Sequence, residues 1–139
     1  MSIFPRKEKK EPKDFKELLK EFRELKVSFE KISQELELLK RDCRFSIQKI
    51  GIIRFNPFSE VGGDQSFSIA LLDGNDDGAV ITSLYTREGN RVYGKPIKQG
   101  RSQYALSQEE TKAIESAQEY AKESKLNNQA ADSGGSGSY

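Results

Sequence analysis

The chain has 139 residues, 35% of them hydrophobic, with 23 Lys and Arg against 22 Asp and Glu, one Cys and no His. A formal charge of +1 provides no global field for nucleic acid or anionic lipid, so an electrostatic partner must be met by a local patch. The absence of His removes the commonest general base and metal ligand, and the single Cys43 excludes an intrachain disulfide framework and fits a reducing cytosol. No apolar run reaches the ~18 residues that span a bilayer, and residues 1–12 lack the apolar stretch of a signal peptide, so the chain reads as cytoplasmic with no membrane span.

Residues 1–13 carry Lys or Arg at positions 6, 7, 9, 10 and 13 against Glu8 and Glu11, with prolines at 5 and 12, which predicts a disordered basic arm. A different pattern then begins. Phe15, Leu18, Phe22, Leu25, Phe29, Ile32, Leu36 and Leu39 recur at alternating steps of three and four, and Cys43 falls on the next a position. This a/d spacing predicts a coiled-coil helix over residues 14–43, with Pro12 placed where a proline favours a helix start. In a parallel pair Glu21 at g faces Lys26 at e′, and Glu35 faces Lys40. The competing reading lays the stripe on the chain's own β domain, but an a/d-only seam is narrower than a flat sheet requires.

After Arg44 the period falls to two, which predicts antiparallel strands within a β-rich domain over residues 44–124. The first, from about Phe45 to Phe55, is apolar on both faces and is expected to be central or covered on both sides. Gly62-Gly63-Asp64 marks a turn, after which Phe67, Ile69 and Leu71 alternate with Ser66 and Ser68. A polar turn over Asp73–Gly78, a strand from Ala79 to Thr86, a hairpin at Glu88-Gly89-Asn90 and a strand from Arg91 to Ile97 complete the sheet. Pro96 puts the last strand on the outside. Ser107-Gln-Glu-Glu110 fits a capping box, and Ala113, Ile114, Ala117, Tyr120 and Ala121 form a small-residue stripe suited to close packing on the sheet. From about Lys125 the composition turns to Asn, Gln, Ser and Gly, which predicts a disordered tail over residues 125–139. The fold class is therefore α+β: a coiled-coil helix, then a small antiparallel sheet with a C-terminal helix packed on it.

Three groups of residues are candidates for chemistry. Arg87, Arg91, Tyr93, Lys95, Lys98, Arg101 and Tyr104 form a basic-aromatic cluster in which Arg91, Tyr93 and Lys95 share one face of a strand, the arrangement that presents cations beside a stacking surface. Its plain structural alternative is an edge strand whose Lys and Arg block unwanted pairing. Glu60, Gly62, Gly63 and Asp64 form a second candidate loop, with the paired glycines able to cup an anion. Asp73, Asn75, Asp77 and Gly78 match the first half of a calcium loop, but its twelfth position is Leu84 and a strand follows, so a hairpin turn is favoured. No metal site or cofactor is expected, and no Ser, Lys or Asp has a partner at a recognisable catalytic spacing.

Five ordered blocks carry a resemblance: Arg54-Phe-Asn-Pro-Phe58, Val61-Gly-Gly-Asp64, Ser66-Phe-Ser-Ile-Ala-Leu-Leu-Asp73, Arg91-Val-Tyr-Gly-Lys-Pro96 and Gly100-Arg-Ser-Gln-Tyr-Ala-Leu-Ser107. Over about residues 44–117 the chain resembles the bacterial domain of unknown function 4446. The resemblance implies a domain that follows a heptad-bearing helix, and commonly an N-terminal membrane helix that this sequence does not show. It implies no activity. The functional expectation is a non-enzymatic, homo-oligomeric interaction protein that binds another protein. Its alternatives are a nucleic-acid binder using the basic-aromatic face, and an enzyme working through Glu60, Asp64 and Arg91.

Overall fold

A computed structural model of the chain describes residues 11, 13–57, 63 and 65–133. Its contacts divide into two compact units with a boundary between Arg41 and Asp42. The first unit is dominated by helix α1 (Phe15–Cys43), 29 residues long. Asp14 begins it as an N-cap, its Oδ1 accepting the Glu17 amide at 2.8 Å, while the Glu17 carboxylate accepts the Lys13 amide at 2.8 Å. One otherwise free donor of the first turn is thereby satisfied, and the chain just before the cap is tied back to it. No residue of α1 is buried, and all eight a/d side chains are exposed.

The second unit is a four-stranded antiparallel sheet in the order β1-β2-β3-β4 followed by one long helix. The strands are β1 (Lys49–Phe55), β2 (Ser66–Leu72), β3 (Gly78–Thr86) and β4 (Gly89–Ile97), and the helix is α2 (Gln108–Ser133). β4 lies at an edge, as Pro96 requires. β1 is the other edge, which corrects the expectation of a central or doubly covered strand: Ile50 and Ile52 remain 54% and 55% exposed. The strand also starts later than expected. Residues 45 and 46 instead close turns behind α1, through the Phe45 amide to the Asp42 carbonyl and the Ser46 amide to the Cys43 carbonyl. The Gly74 amide to the Arg44 carbonyl and the Gln48 amide to the Leu72 carbonyl then fasten this connection to the end of β2.

α2 covers one face of the sheet. Ala70, Leu72, Val80 and Ile97 from the strands meet Ala113, Ile114 and Ala117 from the helix in a core to which Ile53 and Leu106 add partial burial. The small-residue stripe permits this close approach, although Tyr120 at its far end is exposed. The helix also continues past Lys125 to Ser133, correcting the expected tail. Nothing between Lys125 and Ser133 breaks a helix, and Ala130 and Ala131 favour one; the strong punctuation begins only at Gly134-Gly135. The basic arm through residue 10 and the segment beyond 133 lie outside the described residues.

Candidate functional site

The face of β4 that carries Arg91, Tyr93 and Lys95 is the face on which α2 packs, and this decides the fate of Lys95. Its ammonium lies 2.7 Å from Glu110 Oε2 and donates to the Ala105 carbonyl at 2.7 Å. Glu110 is only 3% exposed. It is also the acidic member of the capping box: its Oε2 accepts the Ser107 amide at 2.9 Å while Ser107 Oγ accepts the Glu110 amide at 3.1 Å. Its other oxygen accepts the Thr82 hydroxyl at 3.0 Å, and Thr82 pairs in turn with Ser68 Oγ at 2.8 Å. Burial pushes the Glu110 carboxyl up. The hydrogen bonds from Lys95, the Ser107 amide and Thr82, with the Lys95 charge, outweigh it and hold the group below the usual glutamate range. Lys95 is thus a structural cation that locks the start of α2 to β3 and β4.

Lys98 is also engaged. Its ammonium lies 2.7 Å from Asp77 Oδ2, and Asp77 Oδ1 accepts the Gln99 amide at 2.8 Å. The Lys98 hydrogen bond, then that of Gln99, lowers the Asp77 pKa, and the Asp77 bond raises that of Lys98. Arg101 closes the same turn through reciprocal backbone bonds with Lys98, with Gln99 at φ 50 and Gly100 at φ 75. The acids of the β2–β3 turn are occupied in the same manner. Asp73 Oδ1 accepts the Asn75 and Asp77 amides at 2.8 and 2.9 Å, and Asp76 bonds both Lys49 and Gln118. The calcium-like spacing is therefore a turn whose carboxylates fasten β1, α2 and the turn after β4.

Of the sequence-selected cluster, Arg87, Arg91 and Tyr93 are brought together. With Leu84, Thr86, Glu88, Gly89 and Asn90 they line an open groove of about 550 Å³ at the β3–β4 hairpin. Tyr104 is exposed in the segment before α2, where its amide donates to Ser102 Oγ at 3.1 Å. Glu60, Gly62 and Asp64 lie outside the described residues; their neighbour Gly63 adopts φ 85 with open space where a side chain would stand.

A further surface was not singled out by residue chemistry. The register sets Ile50 and Ile52 beside Leu71 and Ile69, these beside Ala79 and Ile81, and Ile81 and Ser83 beside Gly94 and Val92. With Phe67 and Pro96 these side chains form the sheet face opposite α2. Among the described residues of this unit, no element covers it. The signal was present in β2, where Phe67, Ile69 and Leu71 alternate with serines. It is the serines that face α2, because Ser68 joins the Thr82–Glu110 chain and Ser66 Oγ accepts the Tyr85 amide at 2.9 Å.

The family model described as protein of unknown function (DUF4446) matches residues 3–118. The chain belongs to this family. The match takes in α1, the whole sheet and the first part of α2, so the DUF4446 region includes the heptad helix as well as the folded unit. No curated protein and no solved structure matches the chain. Among the described residues, no helix of this DUF4446 protein is long and apolar enough to cross a membrane.

Proposed function

We propose that the chain is an oligomeric interaction protein in which α1 self-associates in parallel and the folded unit displays a binding surface on each copy. The observation that carries this reading is the exposure of every a/d side chain along α1, with Phe15, Phe22 and Phe29 at 72%, 62% and 68%. Eight apolar side chains on one seam each gain roughly 1.5–3 kcal/mol when buried, far more than a solvated helix of this length secures from its own hydrogen bonds. The flanking charges favour a second copy of α1 as the cover, since Glu21 and Glu35 on one side of the seam meet Lys26 and Lys40 of a parallel partner. Paired copies present two folded units, and a partner that engages both gains affinity from the effective concentration.

The displayed surface on this reading is the groove at the β3–β4 hairpin, with Arg91 and Tyr93 as its binding residues and a protein as its partner. The nucleic-acid alternative is weakened by Lys95 and Lys98, which are engaged with Glu110 and Asp77. Sedimentation of the reduced full chain, with and without Phe22→Asp, tests the self-association. Titration with a single-stranded oligonucleotide at two salt concentrations tests the alternative. Tight binding that weakens steeply with salt would favour the nucleic-acid role.

A further inference from the structure

We propose that the uncovered face of the sheet packs against the same face of a second copy, across a twofold axis. The inference rests on the self-association of α1 proposed above and assigns a second, separate contact to the oligomer.

The composition of the face supports self-contact. Its centre is Ile52, Ile69, Leu71, Ile81 and Val92, and among the described residues its ionisable groups are Arg54, toward the end of β1, and the Tyr85 phenol on β3. The centre of the face carries no charge and can oppose itself without setting like charges together, since Arg54, Ser83, Tyr85 and Asn90 lie toward one end of the sheet. A sheet apolar on both faces is also the kind that proteins cover on both sides. α1 is the poorer occupant. Its narrow seam is bordered by acids on one side and lysines on the other, charges that all find partners on a second α1, whereas the strands of this face offer one cation, Arg54, and no acid.

The size of the face explains why it would act together with the helix. Four strands about 4.8 Å apart and about seven residues long give a face of roughly 450 Å², or about 900 Å² for a pair, against the ~1,600 Å² of a standard stable interface. Alone it is a weak contact. Pairing through α1, however, tethers the two folded units, and tethered sites reach an effective concentration in about the millimolar range, enough for a weak contact to form.

The test uses the full chain under reducing conditions. Ile52→Glu and Val92→Glu each place a charge on an edge strand, at a side chain more than half exposed, and so spare the fold, which circular dichroism verifies. Each is expected to raise the dimer dissociation constant by at least about tenfold. In a Cys43→Ser background, Ile81→Cys and Ile69→Cys are expected to yield an interchain adduct with a short bismaleimide, lost when Phe22→Asp is added. A dimer whose dissociation constant ignores both glutamates, with thiols at 81 and 69 that label as fast as in the Phe22→Asp monomer, would overturn the inference while leaving α1 pairing intact. A monomer with those thiols protected would overturn it in favour of cover from the same chain. A mass unchanged by Phe22→Asp would instead contradict the α1 reading.

Discussion

A methyl group built on Gly51 would stand 2.1 Å from the carbonyl oxygen of Ala113 and 2.5 Å from the amide nitrogen of Ala117. The backbone of α2 therefore rests on the backbone of β1, and neither neighbour is a flexible side chain that can swing away. Gly51→Ala must push the helix off the sheet. The expected cost is about 1–3 kcal/mol, the range for overpacking a well-filled core, read as a lower denaturant midpoint with an unchanged slope. Gly94→Ala is the control, because a methyl at Gly94 meets nothing within 4 Å. Equal effects of the two substitutions would contradict the packing.

Glu110→Ala is expected to cost about 3–5 kcal/mol, because it strands the Lys95 ammonium in the seam between sheet and helix and removes half of the capping box. The pH dependence follows from the lowered carboxyl. Since the folded state holds Glu110 ionised more firmly than the unfolded chain does, this stabilisation is fully present above the ordinary glutamate value of 4.5 and is lost as pH falls through the lower folded value. Chemical denaturation of wild type and Glu110→Gln between neutral pH and acid pH checks the sign. The gap between them should narrow on acidification, and a constant gap would remove Glu110 from the account.

The legible parts of this chain were those with local, repeating signals. The heptad period marked α1, Ser107 and Glu110 marked the start of α2, and Pro96 marked an edge strand, because each rests on contacts within a few residues. What the sequence concealed depends on partners distant along the chain. Lys95 looks like a displayed cation until Glu110 is brought from a helix onto the same face. Ser66 and Ser68 look like the wet side of β2 until Thr82 and the Tyr85 amide turn out to be their partners. β1 looks central because both its faces are apolar, yet α2 covers only one of them. The segment from Lys125 differs in kind: its polar composition suggests disorder, yet nothing before Gly134 stops a helix and α2 runs to Ser133.

Cys43 reports on helix orientation. It is exposed, and in a parallel in-register dimer its two copies occupy facing a positions, near the ~4.4–6.8 Å Cα separation of a disulfide. Mild oxidation of a dilute solution should give a covalent dimer quickly. An antiparallel pair would set the cysteines roughly 40 Å apart at about 1.5 Å per residue, and no bridge could form within the dimer. Three phenylalanines at a positions are bulky for a two-stranded seam, so in a trimer or tetramer only some chains would be linked.

The mass of the reduced full chain in solution bears most directly on the account. Light scattering at tens of micromolar should give at least twice the chain mass, falling to a single chain on Phe22→Asp while circular dichroism retains the signal of the sheet and α2. A strictly monomeric mass that Phe22→Asp leaves unchanged would contradict self-association through α1.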